Sequence, residues 1–139
     1  MSADEALREA YLGTIYRVAT TSDPVDIRIG ARNPALDRLL QAKGVREWAF
    51  VSASNPQSRP LSEADNAQRN RLMKQTLHAA GWRTMDGVGL PARPGWQPEH
   101  SVLILGIGKA TATSLARRWE QKAIVCGMLG EAPELVWVD

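Results

Sequence analysis

The 139-residue chain is long enough for one domain with a substantial core and too short for two ordinary ones. Its 17 Lys and Arg against 15 Asp and Glu leave a net charge of +2 scattered along the chain, without the dense basic stripe of a nucleic-acid-binding protein and with only modest attraction for an anion. Cys126 is the single cysteine, the acidic start Ser2-Ala3-Asp4-Glu5 is unlike a secretory signal, and the longest apolar run, Val102 to Ile107, falls far short of the ~20 residues of a membrane helix; the expectation is one globular, soluble and cytoplasmic domain over residues 1–139.

Ser2 followed by Glu5 is a capping-box pattern, and Ala6, Leu7, Ala10 and Tyr11 recur at helical spacing up to Gly13, which predicts a short first helix. Ile15-Tyr16-Arg17-Val18, the turn signal Ser22-Asp23-Pro24, and the alternating Val25, Ile27 and Ile29 read as a hairpin. After Gly30 to Pro34, Leu36, Leu39 and Leu40 share a helical face that Gly44 ends. Trp48 to Ala53 is apolar enough for a central strand covered on both sides. It leads through a polar loop to the longest predicted helix, Ser62 to Ala80, with Gly81 just beyond.

Gly81 to Met85 predicts a strand entering a long loop that holds Gly87, Gly89, Pro91, Pro94, Gly95, Trp96 and Pro98. Val102 to Ile107 predicts a second central strand, and the helix after Gly108 spaces Ala112, Leu115, Ala116 and Trp119 along one face. Ala123 to Cys126 and Leu135 to Val138 supply the last strands. Because hairpins interrupt the strand-helix alternation, the expected fold class is α/β of the α+β-like kind, a mixed sheet with packed helices. A doubly wound parallel sheet is the alternative.

In the long helix Asn66, Asn70, Met73, Leu77 and Ala80 share one stripe, polar early and apolar late. If Met73, Leu77 and Ala80 face the core, the two asparagines face the end of the preceding strand. There they either pin the Asn55 loop through backbone hydrogen bonds or contact a ligand. Asn55, Ser58 and Arg59 precede the helix start, where free N–H groups, the helix dipole and a guanidinium suit an oxyanion.

Glu99 and His100 are neighbours, but adjacent strand residues point to opposite faces. Glu99 is therefore the one candidate general base, and whether any reaction occurs is left open. Trp96 belongs to the same binding loop. Gly106 to Thr111 lacks the glycine and hydroxyl positions of a phosphate loop, since Leu103 and Ala110 stand there. His78, His100 and Cys126 are too dispersed for a metal site or a nucleophilic dyad, so neither a metal nor a cofactor is expected.

Over nearly its whole length the chain resembles a bacterial family known as domain of unknown function 3293. The resemblance is carried by Tyr11 to Val18, Ala49 to Arg59, Asn66, Glu99-His100-Ser101-Val102-Leu103 and Trp119 to Ile124. The family pattern has an aromatic residue where Ser54 stands, and a glycine and an asparagine where Glu120 and Lys122 flank Gln121. The resemblance implies a site that includes Asn55, Ser58, Asn66, Glu99 and Gln121, and it supplies no chemistry.

The sequence thus points to a pocket for a small polar or anionic ligand, a nucleotide-like molecule being one case. It is built from Asn55, Ser58, Arg59, Asn66, Asn70, Trp96, Glu99 and Gln121. The alternative is a noncatalytic protein-interaction or regulatory module with an unidentified protein partner. Nucleic acid and membrane are not expected partners.

Overall fold

Alternation along the strand Glu47–Val51 divides the molecule in two. Ala49 and Val51 turn to one face, Trp48 and Phe50 to the other, and none of the four is more than 4% exposed. A strand that is apolar on both sides has to be covered on both sides. The computed structural model describes residues 2–95 and 97–138, with Ala3 described by its backbone alone. Its elements are α1 (Ala3–Leu12), β1 (Ile15–Val18), β2 (Val25–Ile27), α2 (Pro34–Lys43), β3 (Glu47–Val51), α3 (Glu63–Ala79), β4 (Arg83–Leu90), β5 (Glu99–Leu105), α4 (Lys109–Arg118), β6 (Ala123–Met128) and β7 (Glu134–Trp137).

The helices start where side chains can cap them. Ser2 accepts from Glu5 N, Asn33 from Leu36 N and Ser62 from Asp65 N, each pairing one of the N–H groups that a helix start leaves free. α2 also carries Pro34 in its first turn and ends at Gly44, whose φ is 72°.

The described strands form one sheet in the order β2-β1-β4-β5-β3-β6-β7. β3 and β4 run the same way with β5 between them, and β5 and β6 run the same way with β3 between them. These are two interlocked split β-α-β units, the βαββαβ arrangement of ferredoxin-like folds. The class is α+β, as the interspersed hairpins predict. The sheet is more uniform than the mixed one expected, because α3 and α4 each cross over a strand, so strands that run parallel never become neighbours. Every described pair is antiparallel.

α3 and α4 cover one face, where Met73, Leu77, Ala112 and Ala116 are buried against Ala49, Val51, Val102, Ile104 and Ile124, with Leu115 and Trp119 packed alongside. α2 covers the other face through Leu36 and Leu40, against Trp48, Phe50, Leu103, Leu105 and Val125. Each such aliphatic side chain contributes roughly 1.5–3 kcal/mol of burial. The sheet curls toward α2. Tyr11 meets Trp137 edge to face at 6.0 Å, and Gly30 N donates to Pro133 O at 2.8 Å, so segments flanking the two edge strands come together.

Several boundaries differ from the sequence reading: β3 and β5 end two residues before the expected Ala53 and Ile107, and β5 starts at Glu99 rather than Val102. Gly87 and Gly89 lie inside β4 rather than in a loop, which shortens the connection to β5 to residues 91–98. The reason is packing, since a Cβ on Gly87 would stand 2.6 Å from Phe50 Cε2, and this glycine is required by a close approach rather than by a turn. Ala80 is exposed at the C-cap of α3, so the buried stripe ends at Leu77.

Candidate functional site

β3 loses its strand partners after Val51, and the chain turns sharply at Asn55 (φ 47°, ψ 66°). Side chains replace the missing ladder. Asn70 Oδ1 accepts from Ala53 N at 2.9 Å and Asn66 Oδ1 from Asn55 N at 2.8 Å, while Asn70 Nδ2 donates to Ser54 Oγ at 2.8 Å. The polar half of the α3 stripe thus pins the loop through its backbone. Asn70 lies deeper along the helix than Asn66, and its amide is fully used in this way.

Arg69 ties this loop to the next one. Its Nε donates to Ala53 O at 2.6 Å and Nη2 to Trp119 O at 2.8 Å, and its guanidinium lies 5.9 Å from the Trp119 ring centre. Gln121 does the same from the other side, with Nε2 donating to Ser54 O at 3.0 Å and Trp119 O at 3.2 Å. Gln57 N donates to Glu120 O at 2.6 Å and closes the seam. The buried polar side chains among the described residues, Ser54, Ser101 and Gln121, all lie at this rim. Buried polar groups are retained where they are hydrogen-bonded, and here their partners are mostly backbone carbonyls and amides of the two loops.

The structure brings Asn55, Asn66 and Glu99 together, as expected for strand ends and a helix start along one rim. Asn66 Nδ2 donates to Asn55 Oδ1 at 2.8 Å and Leu61 N to the same oxygen at 3.0 Å, which leaves the Asn55 amide nitrogen to donate to the Glu99 carboxylate. Ser52 has one hydroxyl proton for two acceptors, His100 O at 2.8 Å and Glu99. Burial raises the pKa of Glu99 above the usual carboxylate range, and the bonds from Ser52 and Asn55 only partly offset this. His100 points the other way and is exposed.

Glu99 stands on the concave side of the sheet. It pairs with Gly89, which pairs with Tyr16, so one cross-strand row reads Tyr16, Gly89, Glu99. Gly89 in the middle of the row is buried, and a Cβ built on it would meet Thr14 Cγ2 at 3.6 Å and Glu99 O at 3.8 Å. Tyr16 donates its hydroxyl to Tyr11 O at 2.8 Å and packs edge to face on Phe50 at 5.3 Å. Burial raises both tyrosine pKa values, and the charge of Glu99 adds to the rise.

Ser58 and Arg59 are exposed on the outer lip, away from this row. The N–H groups of Gln57, Ser58, Arg59 and Leu61 already donate to Glu120 O, Asn55 O, Pro56 O and Asn55 Oδ1, and the helix start is capped by Ser62 and followed by Glu63 and Asp65. Trp96 lies outside the described residues. Lys109, at the start of α4, is ion-paired with Glu134. A cleft of about 460 Å3 lined by Lys43, His78, Trp82, Arg83, Met85 and Leu105 sits at the opposite rim and contains none of the expected residues.

Arg69, Ser52, Ser101, Tyr11 and Tyr16 were not singled out from sequence as site residues. Arg69 sits three positions after Asn66, close enough on the helix surface to share its loop, and that spacing was a usable signal. Tyr16 needed the strand register, which no local pattern supplies.

The model of the family described as "Protein of unknown function (DUF3293)" matches residues 51–124, from the end of β3 through the start of β6, and so spans both loops of the rim, α3 and Glu99. No curated protein and no solved structure matches the chain. With more than half of its 139 residues matched, the chain belongs to the DUF3293 family.

Proposed function

We propose that this domain binds a small polar ligand at the rim where β3 ends and β5 begins, with Glu99 as the main acceptor. The observation that carries the reading is the relay from Asn66 through Asn55 to Glu99. Asn66 bonds Asn55 at 2.8 Å and Asn55 acts on the partly buried Glu99 carboxylate, which stands on the concave side in one row with Gly89 and Tyr16. Binding sites combine apolar walls with a few oriented polar groups, and here Tyr11, Tyr16 and Phe50 supply the walls. Asn55, Asn66, Asn70, Arg69 and Gln121 fix the geometry, while Glu99 and Ser52 face the ligand.

An anion draws less support from this geometry. The loop N–H groups near Ser58 and Arg59 are already used, and Glu99, Glu63 and Asp65 repel negative charge. Glu99 as general base remains the one catalytic role the residues offer. A bacterial, cytoplasmic protein completes the proposal. It is supported by the single buried cysteine and by the lack, among the described residues, of a helix long and apolar enough to cross a membrane.

The test is a fragment screen of small neutral and charged polar molecules, followed through the backbone amide signals of Ser52 to Asn66 and Glu99 to Ser101. Saturable shifts confined to these amides, abolished in Glu99→Gln, support the site. Unchanged signals at millimolar ligand favour the alternative, a noncatalytic interaction module.

A further inference from the structure

β4 outruns its neighbour on one side. β5 runs beside it from Arg83 to Gly89, whereas β1 runs beside it only from Gly87 to Leu90. The last backbone bond on the β1 side joins Ala19 N to Asp86 O at 2.9 Å. Successive residues of an antiparallel strand direct their N–H and C=O groups to opposite sides. Those of Thr84, two positions before Asp86, therefore point to the β1 side as well, past the place where β1 has ended. An unpaired length of edge is a template for another extended chain.

The space beside this edge is open. The cleft of about 460 Å3 at this rim is lined by the five consecutive residues from Gly81 to Met85, together with Lys43, His78 and Leu105. Trp82 packs on the α3 face of the sheet, Met85 and Leu105 on the α2 face, so the cleft reaches both faces around the start of β4. None of its lining comes from the chain between β1 and β2.

The walls are cationic. Arg83 Nη2 donates to Lys43 O at 2.9 Å, which holds the guanidinium beside the end of α2. Among the described residues no carboxylate lines the cleft, and none is ion-paired with Lys43 or Arg83. Asp86, the acid nearest along β4, is taken up by Lys74 at 2.6 Å. Where a chain adds to a sheet edge, main-chain bonds hold it and the charge of the walls selects it.

We propose that the start of β4 docks an acidic, extended segment of a partner protein, which adds to the sheet in line with β1, pairs with Thr84 and sets its carboxylates against Lys43 and Arg83. This surface lies at the rim opposite Glu99 and is independent of the small-ligand reading.

The probe is an end-blocked six-residue peptide of alternating glutamate and valine, titrated into the full chain while the amides of Trp82 to Asp86 are followed. Saturable shifts are expected there. With the peptide at about ten times its dissociation constant, hydrogen exchange at the Thr84 N–H should slow about tenfold. Lys43→Glu, which changes an exposed side chain, should weaken binding at least about fivefold, as should lysine in place of glutamate in the peptide.

Shifts without slowed exchange at Thr84 would overturn strand addition. Equal binding of the lysine peptide, or unchanged binding to Lys43→Glu, would overturn the acidic partner. Glutarate binding as tightly as the peptide would make the cleft a small-anion site instead, and silence of these amides at millimolar peptide would overturn the docking surface altogether.

Discussion

At the rim where β3 and β4 begin and β5 and β6 finish, the chain turns at Gly44, Gly81, Gly106 and Gly130, with φ between 72° and 90°. At the opposite rim it takes left-handed conformations at Asn55 (47°), Gln57 (53°), Ser58 (60°) and Glu120 (59°). Glycine adopts this region freely, whereas other residues do so at about 1–2 kcal/mol each. The glycine rim therefore needs no special support, and its turns connect helices and strands. The other rim persists only because side chains over-determine it, which is the pattern of sites where geometry serves more than stability. Asn66, Arg69, Asn70 and Gln121 are the supports, and what they hold in place is the backbone that carries Asn55 to Glu99.

Removing supports should unfold the second rim. Arg69→Ala takes two carbonyls and an aromatic face from one guanidinium, and a loss of about 3 kcal/mol in urea-unfolding stability is expected. Arg69→Lys should recover little of it, because an ammonium cannot reproduce the fork that spans Ala53 O and Trp119 O. A loss near zero for Arg69→Ala would mean that the seam between the two loops is held by something else. Asn70→Ala is expected to cost about 2 kcal/mol, since it strands the Ala53 N–H and releases Ser54. Hydrogen exchange should then speed up first at Ala53 and Asn55 and leave β6 protected.

A smaller pair of substitutions addresses the comparison itself. Glu120→Gly should stabilise the protein by about 1 kcal/mol, for it relieves a left-handed residue. It forfeits only a loose, exposed contact with Arg69 at 3.7 Å. Gly44→Ala at the other rim should cost about the same amount. The same sign for both changes, read from unfolding midpoints, would show that the rims do not differ in the way described.

The central strands were legible because apolar runs flanked by amphipathic helices have few alternative placements, and β3 and β5 lie in the interior of the sheet near their expected positions. The α3 stripe was legible from spacing alone, with Asn66 and Asn70 turned toward the end of β3. Gly87 and Gly89 misled, because glycine in a strand leaves the same trace as glycine in a loop until the Phe50 ring that requires Gly87 is known. The pairing of strands was not legible either. Which strand each helix skips depends on long-range packing, and that choice sets Tyr16, Gly89 and Glu99 in one row. Nor could the sequence show that the N–H groups beside Arg59 would be used within the loop itself.

The most direct test of the account is the pH dependence of stability in Glu99→Gln against the wild type. A carboxylate whose folded pKa is raised makes the folded state bind more protons than the unfolded chain, so the stability associated with it is present in acid and lost as pH rises. The account predicts that, from about pH 4.5, the ordinary value for this group, up through its raised folded value, the wild type loses unfolding free energy relative to Glu99→Gln. Above that window the two curves should run parallel, with the variant the more stable. Parallel curves throughout, or a wild type that gains on the variant as pH rises, would show that Glu99 is a settled structural carboxylate and not one held at a cost for a ligand.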